Sequence, residues 1–305
     1  MWKFLLPLLL CWGFLAAQYR IDTITDNVVL YTDVSSTRDY SALLNSLEQR
    51  IELLQRSTGV YTDQRADIYL VPDRPSYKLL TRGKDSIVEF SEAFYSSSEQ
   101  RIYVRSHDQV QSGYASILMH EYVHWYLDEI FLGAPLWFHE GMATRYGTDL
   151  GWERYPLFIR ERFWGNKMDL FELAYRYPEA QRDWELYYLS SYFAVKYMQE
   201  KDVELWRRFW GIVSQNHRKG GKTRFISAFS TAYGSSLFQF NQEFSQHTRK
   251  MAYLYLVIGV NSFIFMLLPF AVVIAIIRHR RRLRTLPELP EAEEPAEDDL
   301  IPNDS

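Results

Sequence analysis

The stretch Ile117–Ala143, ILMHEYVHWYLDEIFLGAPLWFHEGMA, carries His120-Glu121-x-x-His124 on an apolar run and, sixteen residues after the second histidine, Glu140. On an α-helix His120 and His124 lie about 6 Å apart along the axis and roughly 40° apart around it, so both imidazoles leave one face. That pair offers a two-nitrogen grip on a zinc ion. Glu121, roughly 100° round from His120, reaches a water at such an ion and takes its proton. The pattern predicts a helix over Gln109–Phe131 ended by Gly133, then a short helix whose first turn suits Pro135 and which carries Glu140. Catalytic zinc takes three protein ligands and keeps one open position. His120, His124 and Glu140 form such a set provided the two helices pack antiparallel across the turn Leu132–Pro135.

Before this stretch, Met1–Ala17 has the layout of a secretory signal peptide, with Lys3, an apolar run from Phe4 to Leu15, and Ala16-Ala17. Leu15 is large for its place before the cut, so removal of the leader stays open. Val28–Tyr31, Ala66–Val71 (stopped by Pro72) and Arg101–Arg105 read as strands. Tyr40–Gln55 reads as a helix with Leu43, Leu44, Leu47, Ile51 and Leu54 on one stripe and Gly59 beyond its end. Residues 18–108 thus form a small mixed sheet with helices. Asp169-x-x-Glu172 has the form of a capping box before Leu170, Phe171 and Leu173. Trp184–Met198, Val203–Val213, Thr223–Tyr233 and Leu237–Arg249 read as helices. The fold class is α+β, one domain over 18–250 with the sheet first and a mostly helical lobe after.

Tyr253–Ile277 holds twenty-five residues without a charge, enough to span a bilayer, and five arginines follow between Arg278 and Arg284. By the positive-inside rule that flank is cytoplasmic and the domain lies outside, as the leader also implies. The expected localisation is a single-pass protein of the cell membrane, a bacterial inner membrane by default. The tail 278–305 turns from basic to acidic, with eight acids after Pro287, and reads as a disordered stub. No Gly or Pro lies between Leu237 and Tyr253. The last helix therefore runs into the span directly or after a very short bend, which would hold the site near the outer membrane surface. With the charged tail and Lys3 set aside the domain is close to neutral, so nucleic acid is not an expected partner. Cys11 is the single cysteine, which excludes a disulfide framework, a cysteine zinc site and a catalytic thiol.

HEYVH followed by WFHEGMA resembles the gluzincin metallopeptidases, especially the peptidase MA-like group with HExxH and then W-x-x-E-G-x-A. The likeness is strong over 117–143 and looser over Tyr61–Arg249, where SSYFAVKYM and AFSTAYGSSLFQFNQEF look like that group's C-terminal helices. It implies a zincin-like fold, Zn2+ held by His120, His124 and Glu140, and peptide-bond hydrolysis with Glu121 as general base and then proton donor. Related enzymes often stabilise the oxyanion with a tyrosine or histidine from a later helix. Here Tyr187 fits the group's Y-x-x-S pattern, with Tyr188 the alternative. Extended substrate would lie along an edge strand, and Arg101–Arg105 stands in the right order for it unless it is a central strand. Thr144 departs from relatives that place an aspartate four residues after the glutamate ligand. His139 is expected at the surface or behind the ligands, and Asp128 either orients His124 or stands exposed at a helix end. The expected function is a membrane-anchored zinc metallopeptidase acting on peptides or proteins, membrane proteins or newly exported chains among them. The alternatives are a catalytically silent zinc-binding module, chaperone-like, or a structural membrane protein with an accidental motif.

Overall fold

A computed structural model describes residues 19–82, 91–106, 113–147, 157–158, 160–161, 169–172, 174–180 and 183–283. The leader expected over 1–17 and the tail beyond 283 lie outside these residues. Two compact units divide after Tyr253. The described residues form a mixed α+β chain, a small sheet followed by a mostly helical part.

Five strands form one sheet: β1 (Tyr19–Ile24), β2 (Val28–Asp33), β3 (Ala66–Val71), β4 (Ala93–Ser96) and β5 (Arg101–Arg105), in the order β1-β2-β3-β5-β4. The central strands β2, β3 and β5 run parallel, and β1 and β4 add antiparallel edges. Strand β5 is therefore interior, the second of the two placements its sequence left open, and the edge on its side is β4. Neither edge strand was foreseen. β1 shows no clean alternation of buried and exposed residues, and β4 is only four residues long.

One sheet face packs on α1 (Ser41–Thr58), whose Leu44, Leu47, Ile51 and Leu54 are buried. The helix outruns the expected Gln55 because Gly59, at φ 67°, ends it with an N–H bond to the Gln55 carbonyl. The other face carries a smaller cluster of Val71, Tyr77, Phe94 and Tyr103, with Tyr77 from α2 (Arg74–Thr81). Tyr19, Tyr31, Tyr69 and Tyr103 extend it as touching rings across the strands.

Beneath the sheet lies α3 (Tyr114–Ile130), followed by the two-residue strand β6 (Phe131–Leu132) and α4 (Leu136–Gly147). Gly113, at φ 73°, starts α3 at Tyr114 rather than at Gln109, and positions 107–112 are outside the described residues. Gly133, at φ 68°, turns the chain back, and Pro135 stands just before α4 with its carbonyl accepting from the Phe138 and His139 N–H groups. Phe131 meets Phe138 near the turn, while Gly147 at the far end of α4 comes against His120. The two helices therefore run antiparallel, as the ligand set requires.

Further along, the described residues include the helices α5 (Trp184–Lys201), α6 (Val203–His217), α7 (Phe225–Tyr233) and α8 (Leu237–Leu283). Thr223 does not begin a helix. Thr223–Arg224 forms β7, parallel to β6, and ties the end of α3 to the start of α7. Nor does Asp169 cap one: its carboxylate accepts from the Phe171 N–H and the Asn241 amide, and residues 170–172 form a turn. Helix α8 is continuous over 47 residues, and its apolar part is long and hydrophobic enough to cross a membrane, with a mean hydropathy of 2.6 and none of the window buried.

Candidate metal centre

His120 and His124 leave the same face of α3, ring centroids 5.0 Å apart, and meet Glu140 from α4. His120 Nε2 lies 3.3 Å from Glu140 Oε2, and His124 Nε2 lies 3.6 Å from Glu140 Oε1. One ligand atom from each of the three falls within 4.8 Å of the others. Metal–ligand bonds of 2.0–2.2 Å in a tetrahedral site put ligand atoms roughly 3.4 Å apart, so the group is sized to hold a metal ion.

Glu140 supports the same fit. Its side chain is 2 % exposed, yet Oε2 has no hydrogen bond of good geometry. A buried carboxylate oxygen left this way costs stability unless a cation satisfies it. Burial works to raise the Glu140 carboxyl, but His124, His120 and the Tyr177 hydroxyl outweigh it and hold the group down to about 2. Burial drives His124 down to about 3, so its imidazole is neutral and available as a ligand. At His120 burial acts the same way, but Glu140 overrides it and raises the group.

Glu121, buried on the next face of α3, lines a cavity of about 820 Å³ together with His120, His124 and Glu140. Burial pushes its carboxyl up to about 7, opposed by His120. The Tyr95 backbone on edge strand β4 also opposes that rise. Strand β4 thus lines the cavity through Ala93, Phe94 and Tyr95.

The two tyrosines of α5 separate cleanly. Tyr188 lines the cavity, its ring 6.2 Å from that of His120, whereas Tyr187 is fully buried beneath it. His139 takes the second of its two expected places, behind the ligands. It lines the cavity, stacks on His124 with rings 5.8 Å and 14° apart, and faces Asp128 at 3.9 Å. Asp128 therefore faces His139 rather than His124.

Sequence reasoning missed Tyr177, whose hydroxyl donates to Glu140 Oε1 at 2.6 Å. It lies in an irregular segment with no periodicity to mark it, among twenty-two tyrosines. The one local signal is Pro178, which disfavours helical backbone at Tyr177.

Comparison with models of known protein families finds no match, and comparison with curated proteins finds none either. The likeness to gluzincins accordingly rests on the motif spacing and on the meeting of His120, His124 and Glu140.

Proposed function

We propose that this protein is a membrane-anchored zinc metallopeptidase. The observation that carries the reading is the His120–His124–Glu140 group opening, with a buried carboxyl beside it, into a cavity large enough for a peptide segment. Two imidazole nitrogens and one carboxylate oxygen with an open side are a donor set of catalytic zinc, which when bound supplies Lewis acidity towards water and a scissile carbonyl.

Glu121 takes the proton of the attacking water and passes it to the leaving amine, a task for which a buried, readily protonated carboxyl is suited. Tyr188 is the better placed of the two α5 tyrosines to donate to the carbonyl oxygen as negative charge develops there, because its ring faces the cavity and that of Tyr187 does not. The substrate backbone lies extended beside β4, whose length and edge position suit main-chain pairing. The leader, the apolar helix and the arginines after it give an extracytoplasmic domain, a membrane-spanning segment and a cytoplasmic tail. Membrane proteins or exported chains are the substrates that such a placement offers.

The test is cleavage of a mixed peptide library by the purified full-length protein in detergent, before and after treatment with a chelator, and again after zinc is restored. Activity lost and regained with zinc supports the proposal. Zinc bound with no peptide cleaved turns the reading towards a silent binding module, and no metal bound at all refutes both.

A further inference from the structure

Glu140 presents two chemically distinct oxygens. Oε1 accepts the Tyr177 hydroxyl at 2.6 Å, while Oε2 is buried, lacks a hydrogen bond of good geometry and lies nearest His120 Nε2. A carboxylate free to rotate could offer both oxygens to a cation. One already engaged by a short charge-assisted hydrogen bond offers chiefly the other.

The donor is held in place from several directions. Pro178 restricts the Tyr177 backbone, and the Pro178 carbonyl accepts from the Trp184 indole N–H at 3.0 Å, at the start of α5. On the other side, the Ala174 carbonyl accepts from the Leu136 N–H at 2.7 Å, at the first residue of the helix that carries Glu140. The segment bearing Tyr177 is thus pinned to both α4 and α5. The Tyr177 ring packs edge-on against Tyr187, centroids 5.9 Å apart. That contact gives the buried Tyr187 a place in the site as a support of Tyr177.

We infer that Tyr177 is a positioning residue of the metal centre, occupying Glu140 Oε1 so that the ion is held through Oε2 alone. This rests on the metal-binding reading of His120, His124 and Glu140. Removing the hydroxyl leaves Oε1 buried without its donor and frees the carboxylate to turn both oxygens towards the ion. Loss of such an orienting partner typically costs about 10–100-fold in metal affinity. A second Glu140 oxygen also adds a coordination position.

The experiment uses the full-length protein in detergent, wild type, Tyr177→Phe and, as a control in the tyrosine cluster of the sheet, Tyr31→Phe, with cobalt(II) as probe. Affinity is read by competition with a chromophoric chelator, and coordination number from the visible absorption, which is strong for four-coordinate cobalt and weaker for five. The expected result is strong four-coordinate bands for wild type and Tyr31→Phe. Tyr177→Phe should bind about 10–100-fold more weakly, with the weaker five-coordinate spectrum. Equal affinity and an unchanged spectrum in Tyr177→Phe overturn the inference. Should that variant fail to fold, the wild-type spectrum decides: five-coordinate bands contradict binding through one oxygen, and four-coordinate bands support it. A wild type that takes up no cobalt or zinc refutes the metal reading itself, an outcome distinct from either.

Discussion

A Cβ placed on Gly141 would stand 2.3 Å from the Ser191 carbonyl oxygen and 2.6 Å from Val195 Cγ2, so α4 meets α5 backbone to backbone at the residue after Glu140. The obstacle is main chain, which cannot swing away as a long side chain would. Gly141→Ala must push the helices apart, and overpacking of this kind costs about 1–3 kcal/mol. Thermal unfolding of the variant should show a Tm several degrees lower, with bound metal reduced because Glu140 moves with Gly141. An unchanged Tm and full metal content would contradict the packing described.

Metal removal should be visible as lost stability, since an ion that binds only the folded chain stabilises it. At one hundred times its Kd the gain is about 2.7 kcal/mol. Calorimetry of the purified protein should show Tm rising as zinc is added and falling with a chelator. In Glu140→Gln, which loses the one anionic member of the group, the response should be strongly reduced. A wild-type Tm indifferent to both additions would count against a metal centre.

The tyrosine cluster on the outer sheet face should contribute to the loss of stability in alkali, alongside more deeply buried tyrosines such as Tyr122 and Tyr126. Burial, reinforced by Asp33, raises Tyr19 from an ordinary value of 10.0 to about 12, and burial likewise raises Tyr69 to about 12 against the opposing pull of Arg101. The unfolded chain therefore releases these protons first. Their contribution is complete below pH 10 and is lost as the pH climbs through about 12. Replacing both by Phe should make the fall of Tm shallower between pH 10 and about 12; a variant that declines as steeply as wild type over that range would show that the pair contributes nothing.

Helix α8 should hold the protein in a membrane. Exposed Phe263, Ile264, Phe265, Phe270 and Val272 belong to an uncharged run that water would not tolerate on an isolated helix. In membranes from expressing cells the chain should stay in the pellet after carbonate washing, and release into the wash would contradict a span. A cysteine introduced at Ser305 should react with an impermeant reagent only after the membrane is opened, which tests the inward placement of the tail.

The sequence reading succeeded where periodicity and fixed spacing carry the information. His120 and His124 share a helix face by the geometry of four residues, and Glu140 reaches them because Gly133 allows a tight reversal. The α1 stripe and the apolar run of α8 were readable for the same reason. It failed where tertiary contact decides. Nothing in Ala93–Ser96 distinguishes an edge strand from a loop, because its pairing with Arg101–Arg105 is what makes it one. Thr223 looks like a helix start, but Phe131–Leu132 recruits Thr223–Arg224 into a two-strand ladder. The Y-x-x-S pattern favours Tyr187 over Tyr188, but it is Tyr188 that lines the cavity while Tyr187 is buried, a difference of packing that the pattern does not carry. Asp128 faces His139 because α4 brings that imidazole across from another helix.

In the proposed function Glu121 does the proton chemistry while His120, His124 and Glu140 hold the ion. Glu121→Gln separates the two roles, because an amide keeps the shape of the side chain but cannot act as a base. Zinc content and peptide cleavage measured on the same preparations of wild type and variant test the claim most directly. Equal zinc in both is expected, with cleavage by the variant reduced about 10²–10⁴-fold or more. Cleavage by Glu121→Gln at the wild-type rate, with zinc retained, would contradict it.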